Sequence, residues 1–250
     1  MSLQLQKSEW QKKSRRSFLF ASFTFLAGGL GFWFTQSLEQ ENGVPWPFRR
    51  VLTFNEKIWR ALFKSKSELV DSSNDPASPP PGTPARLNSD IGIEEAQDLK
   101  DWKLEVFKEQ QSVNSFTIEQ LSLLPQVEHT EVFKCVEGWS QIISYKGIRF
   151  SEFLKLMKIN AENFAFVALE TPDKAYYVSV DMASMLHPKT VLATEMNGVK
   201  LSSEHGAPLR LIIPVKYGIK NLKRVGQIVF SQAKPPDYWE EQGYDWYAGL

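Results

Sequence analysis

The sequence predicts an α+β domain with mixed β-sheets and short helices, preceded by an N-terminal signal or anchor. Segments in which apolar and polar residues alternate, typical of strands, are interleaved with short helical segments. The sequence contains no internal repeat and no sustained strand–helix–strand alternation, which argues against a parallel α/β fold. An apolar run near the N-terminus departs from this pattern and predicts a targeting or membrane segment.

The N-terminal segment carries two adjacent arginines just before its apolar run. Arg15 and Arg16 precede a Phe-Leu pair, which resembles a twin-arginine export signal and predicts a periplasmic protein that folds before export. The run, Phe18–Phe34, is about 17 residues long, near the lower limit for crossing about 30 Å of hydrocarbon. No Ala-x-Ala cleavage motif follows the run, so residues 1–40 can remain as an inner-membrane anchor. Cleavage as a signal is the other possibility, and the sequence leaves both open. The alternative is a basic flank before an ordinary secretory or membrane segment.

Two stretches separate this segment from the main body of the chain. Residues 44–70 are rich in aromatic and basic side chains, and either lie on lipid or pack against the main domain. Residues 71–84 are rich in proline and serine and too poor in apolar residues to form a core. We therefore divide the chain into the N-terminal segment, a juxtamembrane segment with linker at 41–85, and a main domain at 86–250.

The main domain is predicted to consist of short elements with recognisable boundaries. Thr117 and Asp181 are placed to cap two helices, and Ser151 opens a third. The pair Asn197-Gly198 predicts a type I′ hairpin turn. The predicted strands are 102–107, 127–134, 164–170, 176–180, 191–195, 199–201, 209–213 and 225–230, and the predicted helices are 118–124, 152–157 and 182–186.

Composition and motifs exclude several classes of function. Lys plus Arg and Asp plus Glu each number 29, so no net positive charge favours nucleic acid as a partner. The single cysteine cannot form an internal disulfide, so the fold depends on its core or on a bound cofactor. The sequence has no HExxH, CxxC, Walker or GxSxG motif, which leaves zinc hydrolases, P-loop proteins and serine esterases without support.

The one cysteine, Cys135, lies where a predicted strand ends and a loop begins, a common position for a functional site. Lys134 can favour its thiolate, and Gly138 permits a tight turn close by. A buried lone cysteine is more often simply a small apolar side chain, so these features alone leave both interpretations open.

Three segments, taken in order, resemble the sulfite oxidase family of molybdopterin-dependent oxidoreductases. Lys-Cys-Val-Glu-Gly-Trp-Ser at 134–140 is similar to the cysteine motif, most closely that of periplasmic methionine-sulfoxide reductase catalytic subunits. Residues 205–223 resemble the pterin-binding segment, with Gly-x-Pro-x-Arg, Tyr-Gly and a closing lysine. Residues 238–244 resemble the C-terminal Tyr-Trp element. The resemblance covers about 86–250.

The resemblance implies a molybdenum–molybdopterin cofactor with Cys135 as the metal ligand, because a thiolate adds a soft third sulfur to the two of the pterin. Arg210 and Lys223 would bind the pterin phosphate, the first as a bidentate fork and the second as a point charge. From the residues alone, a solvated basic patch is the alternative for these cations. The residues that the resemblance implies in cofactor binding are Asn88, Thr171, His205, Arg210, Asn221, Leu222 and Lys223.

The resemblance also implies an enzyme that exchanges an oxygen atom and two electrons with a small-molecule substrate. Sulfite oxidases carry basic residues soon after the ligand cysteine, whereas this chain has Val136–Trp139 there. We therefore expect reduction of an S-oxide or N-oxide. A sulfite-type oxidase and a non-catalytic exported binding domain of the same fold remain alternatives.

The redox partner is expected to be a separate protein. Neither a haem-attachment motif nor a flavin motif occurs in the sequence, which favours a membrane cytochrome or a quinone-linked electron-transfer partner. Nucleic acid is not expected. The dimerisation domain of sulfite oxidases has no counterpart before Leu250, so a monomeric catalytic unit is expected.

Overall fold

A computed structural model describes residues 2–63, 75–87, 91–93 and 101–250. The chain divides into two compact units, Met1–Thr53 and Phe54–Leu250, which are considered separately. The predicted cofactor residue Asn88 lies outside the described residues.

The first unit begins with a long helix, α1, Ser2–Ser37. Within it, Arg16–Ser37 is long and apolar enough to cross a membrane, and none of it is buried. A short hairpin follows, made of β1, Gln40–Glu41, and β2, Val44–Pro45. The next helix, α2, Trp46–Phe63, begins in this unit.

The first sheet of the second unit is mixed, as predicted. Its strand order is β4-β3-β12-β7-β8, in which β12 runs parallel to β3 and every other pair is antiparallel. The strands are β3, Leu104–Lys108; β4, Gln111–Phe116; β7, Phe166–Glu170; β8, Tyr177–Asp181; and β12, Gln227–Ser231.

The second sheet is antiparallel and carries the site residues at its ends. Its order is β10-β9-β6-β5, with β11 also paired to β9. These strands are β5, Val127–Lys134; β6, Ser140–Arg149; β9, Val191–Met196; β10, Val199–Lys200; and β11, Arg210–Ile212. The remaining helices are α3, Ile118–Ser122; α4, Phe150–Leu156; α5, Met182–Met185; and α6, Tyr238–Glu241.

Both faces of the second sheet are covered. Ile148, Leu192 and Leu211 point into the larger core, which also takes buried side chains from the first sheet such as Val106 and Phe230. Alternate residues of the same strands point the other way, because side chains alternate along a strand. This second face holds a smaller apolar cluster that includes Cys135, together with Phe133, Ile143, Tyr145, Val191, Ala193, Met196, Leu201, Ala207 and Ile212.

Local signals in the sequence placed several boundaries correctly. Thr117 caps α3 through a capping box with Gln120, and Asp181 caps α5 by accepting from the Ser184 amide. Asn197 and Gly198 adopt φ values of 48° and 72°, as a type I′ turn requires.

Other boundaries differ from the prediction. The α4 helix begins at Phe150, so Ser151 lies inside it, and its N-cap Arg149 makes no side-chain capping bond. The strands β4 and β6 were not predicted. Within β6, Gly147 faces Ala193 across the sheet at a register shift, and this irregularity breaks the alternation that marks a strand.

Part of the proline-rich segment predicted as a linker is held against the second sheet. Gly82 N donates to Asn197 O (2.8 Å), and the Asn197 amide donates to Thr83 O (2.8 Å). The Gln141 side chain donates to Pro84 O (2.9 Å) and accepts from the Arg86 amide (2.8 Å). Hydrogen bonds to the backbone of this stretch therefore fix it in place, and such bonds need no apolar side chains. The domain boundary at 86 stays a prediction.

Candidate active site

Cys135 opens the tight turn that joins β5 to β6. Its amide donates to Trp139 O (3.0 Å), and its carbonyl accepts from the Gly138 amide (3.1 Å). Gly138 adopts a φ of 85°, which is costly for any residue with a Cβ. The turn holds the thiol side chain, 4% exposed and without a disulfide partner, at the end of the strand.

The thiol residue lines a cavity of about 150 Å³. Asn221 and Lys223 line the same cavity, as do Trp239 and Tyr244, so residues from all three of the resembling segments meet here. Three aromatic residues, Tyr176, Trp239 and Tyr244, contribute as well. The full lining consists of Ile91, Cys135, Val136, Glu137, Tyr176, Gly218, Ile219, Asn221, Lys223, Trp239 and Tyr244.

A turn at residues 218–220 brings the later motif against the cysteine loop. A Cβ on Gly218 would lie 2.8 Å from the Phe133 ring, so only glycine permits this approach. Asn221 stabilises the turn: its Oδ1 accepts from Ile213 N (2.5 Å), and its Nδ2 donates to Tyr217 O (3.1 Å). The Asn221 side chain thus shapes the wall of the cavity through its hydrogen bonds to neighbouring backbone groups.

Arg210 lies on the same face of the second sheet as Cys135, although it does not line the cavity. It is 3% exposed, its guanidinium lies 5.5 Å from the centre of the Tyr145 ring, and its Nη1 donates to His205 O (3.3 Å). Its buried Nε has no hydrogen-bond partner in the described part of the chain. A buried donor left in this state is costly, which favours a bound acceptor at this position.

His205 lies near the two cations Arg210 and Lys223. Gly206, with a φ of 92°, approaches so closely that a Cβ would lie 2.7 Å from the Lys223 Cα. The pKa of half-buried His205 is lowered to about 4, mainly by burial and in addition by the charges of Arg210 and Lys223. The imidazole is therefore neutral at neutral pH and can donate one ring N–H while the two neighbours carry charge.

Two predicted residues lie behind the cavity wall. Thr171 is buried, and its hydroxyl donates to Asp173 Oδ1 (2.6 Å) and accepts from Tyr176 N (3.1 Å). Its methyl group also blocks any Cβ on Gly92, next to the lining residue Ile91. Leu222 is fully buried in the main core and accepts from Leu211 N through its carbonyl (2.8 Å).

Sequence reasoning missed the aromatic part of the lining. Trp239 and Tyr244 were given no role in the site, yet both line the cavity. The Tyr-Trp element that contains Trp239 was the available signal. Tyr176 carried no sequence signal; its hydroxyl donates to Ile219 O (2.6 Å), and burial raises its pKa, with Asp237 adding to the effect.

The fold and the site define a molybdopterin-binding oxidoreductase domain: a cavity lined by a thiol and a lysine, with an arginine and a neutral histidine near that lysine. The chain belongs to the family described as the oxidoreductase molybdopterin binding domain, whose model matches residues 91–239. This match confirms the predicted family, fold class, enzyme class and molybdopterin cofactor.

The relatives carry names from one enzyme system. A putative protein-methionine-sulfoxide reductase subunit, YedZ1, of Azospira oryzae is 35% identical over 168 residues, covering 66% of this chain and 63% of that protein. The catalytic subunit MsrP of Campylobacter jejuni is 27% identical, covering 64% and 60%. MsrP of Xanthomonas campestris is 31% identical, covering 57% and 49%. The chain thus spans from about half to just under two-thirds of the length of these relatives.

A solved structure shows the same fold. The sulfane dehydrogenase SoxCD of Paracoccus pantotrophus superposes with a TM-score of 0.50 at 21% identity, covering 56% of this chain and 40% of that one.

The residues of the site fit the cofactor that the family implies. Cys135 offers a sulfur ligand at the cavity, and Lys223 lines it. The unsatisfied Arg210 Nε and the adjacent cations suit an anionic group such as a phosphate. We therefore regard this part of the chain as the cofactor site.

Proposed function

We propose that the protein is an exported molybdenum–molybdopterin enzyme that reduces an S-oxide or N-oxide by two-electron oxygen-atom transfer, with an S-oxide as the first candidate. The observation that carries the proposal is the cavity lined by both the Cys135 thiol and Lys223. The names of the three relatives, all from methionine-sulfoxide reductase systems, support the choice of an S-oxide.

In this proposal each site residue has one task. Cys135 is the protein ligand of molybdenum, and the bound cofactor supplies the oxygen-atom and electron exchange. Arg210 and Lys223 neutralise the pterin phosphate, and neutral His205 donates a hydrogen bond to the pterin. The remaining proposed contacts are Asn88, Thr171, Asn221 and Leu222; Leu222 contributes its backbone, because its side chain is in the core.

The rest of the lining limits what can enter. Tyr176, Trp239 and Tyr244 present aromatic surface that excludes water from the thiol. Glu137 lines the same cavity, and its Oε2 accepts from the Trp139 indole (2.8 Å). A carboxylate here repels an anion such as sulfite but not a neutral sulfoxide.

Export and electron supply complete the proposal. Arg15 and Arg16 would direct the folded protein through the twin-arginine route to the periplasm, and the apolar part of α1 would remain as an inner-membrane anchor. A membrane cytochrome or a quinone-linked partner would then deliver electrons to a monomeric catalytic unit. Anchoring raises the effective concentration of the two proteins for one another.

The test is molybdenum analysis of protein matured in a host that makes the cofactor. We expect about one molybdenum per chain, and near-complete loss in Cys135→Ser. Val132→Ser is the matched control, since Val132 is an exposed residue of the same strand, and it should keep the metal. A metal-free wild-type protein, or a Cys135→Ser variant that keeps its metal, would contradict the proposal.

A dye-linked assay, with a reduced dye as electron donor for the oxides and an oxidised dye as electron acceptor for sulfite, then separates the possible substrates. Sulfoxides, N-oxides and sulfite are offered to the metal-loaded protein, and sulfoxide should give the highest kcat/KM. Higher kcat/KM with sulfite as electron donor would favour the sulfite-oxidase alternative. Metal-loaded protein that turns over none of them would favour the non-catalytic binding domain.

A further inference from the structure

Helix α2 has a row of exposed apolar side chains along one side. Phe48, Val51, Phe54 and Ile58 are 50%, 56%, 62% and 40% exposed. Their spacing of three, three and four residues places them on one face of an α-helix. Large apolar side chains grouped in this way on a surface mark a contact with another apolar phase.

The other side of the same helix is basic. Arg50 and Lys57 lie away from the apolar row by helical spacing, and Arg50 stacks on Trp46 with its guanidinium 5.0 Å from the ring centre. Aromatic side chains next to cationic ones are typical of helices that lie in the plane of a membrane interface.

The start of α2 is fixed close to the end of the candidate membrane span. The span ends at Ser37, and the Trp46 amide donates to Glu39 O (3.0 Å). Buried Arg49 donates to the carbonyls of Glu41 (3.2 Å) and Asn42, which ties the first turn of α2 to the hairpin. If Arg16–Ser37 crosses the bilayer, α2 begins at the level of the lipid headgroups.

We propose that α2 lies flat in the membrane interface, with its apolar row among the acyl chains and its basic side against anionic headgroups. The proposal rests on the retention of α1 proposed above. Phospholipid is favoured over a protein partner because the helix combines an apolar row, flanking cations and an adjacent candidate span. The helix thereby holds the chain at the membrane surface, where the proposed electron donor resides.

Site-directed spin labelling of the full chain tests this arrangement. The chain, with its intact N-terminus verified by mass, is placed in phosphatidylcholine nanodiscs containing roughly one-third phosphatidylglycerol. An amino acid with a keto group replaces Phe54 and carries the spin label that reports on the apolar row. The same amino acid in place of Lys57 is the matched control on the basic side. Because the label is attached to the keto group, Cys135 stays unlabelled. Collision rates with oxygen, which concentrates in lipid, and with a water-soluble nickel chelate are then compared.

We expect oxygen to relax the label at position 54 several-fold more than nickel does, and nickel to dominate at position 57. Nickel dominance at both positions would place the helix in water and overturn the proposal. Protection of position 54 from both reagents would indicate that protein covers the row, and would overturn it too.

The basic side has its own test. Removing phosphatidylglycerol should reduce the depth of the label at position 54 in the bilayer. The double substitution Arg50→Glu with Lys57→Glu should abolish this dependence of depth on lipid charge. Equal depth in both lipid mixtures for the unsubstituted chain would contradict the electrostatic part. Molybdenum content of the same samples reports on the proposed enzyme separately, since none of these positions lines the cavity.

Discussion

At the scale of single residues, Arg210 is the strongest indication of a missing anion, because its buried Nε lacks a partner in the described structure. We predict that Arg210→Lys, which keeps the charge but removes the planar fork, lowers molybdenum retention several-fold. Cofactor loss is measured as molybdenum per chain after dialysis. Arg86→Lys is the matched control, since Arg86 stacks on Trp139 outside the cavity lining, and it should retain its metal. Equal retention in both variants would exclude Arg210 from phosphate binding.

His187 gives a prediction for pH. Burial lowers its pKa to about 4, with Lys189 and His129 adding to the effect, and its Nδ1 accepts from the Lys189 amide (3.2 Å). The unfolded chain, with a histidine pKa of about 6.5, binds more protons between pH 4 and 6.5. The contribution of His187 to stability is therefore intact above about pH 6.5 and is lost as the pH falls toward 4.

Urea unfolding at about pH 7 and about pH 4.5 measures this loss in the cofactor-free protein. His187→Gln keeps a neutral acceptor and removes the titration, so its midpoint should fall less over this interval. Identical falls in the two proteins would show that His187 does not contribute.

At the scale of elements, the contact between the 218–220 turn and the end of β5 forms one wall of the site. Gly218→Ala would place a Cβ 2.8 Å from the Phe133 ring, and we predict a loss of about 1–3 kcal/mol in the free energy of unfolding. Combining it with Phe133→Leu should recover part of this loss, because the smaller side chain leaves room. Strict additivity of the two losses in urea unfolding would show that the ring is not the obstacle.

The elements also show which parts of the fold and of the site can be predicted from the sequence. Capping by Thr117 and the Asn197-Gly198 turn depend on neighbours a few residues away, so local patterns predict them. That Arg210 and Cys135 lie on one face of the second sheet depends instead on β11 pairing with β9 and β9 with β6, an order that no local pattern encodes. Only the family resemblance grouped these residues, and it did not indicate that Thr171 and Leu222 lie behind the wall.

At the scale of the whole catalytic unit, the C-terminal segment closes the site and is held there by buried lysines. Lys220 is paired with Asp237, and both side chains are 1% exposed. Burial lowers the pKa of Lys220, while Asp237 opposes this shift. Lys216 pairs with Asp181 (3.2 Å) and donates to Tyr247 O (2.8 Å). Lys220 ends the 218–220 turn that lines the cavity, and Lys216 lies two residues before it. The segment carrying Trp239 and Tyr244 is therefore fixed to this wall of the cavity.

Breaking one of these pairs should therefore affect stability and cofactor binding at once. Asp237→Asn leaves Lys220 buried without its counter-charge, and we predict a loss of about 3–5 kcal/mol in the free energy of unfolding, together with faster release of molybdenum. Glu152→Gln is the control: it breaks the exposed pair with Lys155 (2.8 Å) and should cost under about 1 kcal/mol with no change in metal release. If Asp237→Asn destabilises the protein but leaves metal release unchanged, the C-terminal segment stabilises the fold without closing the site.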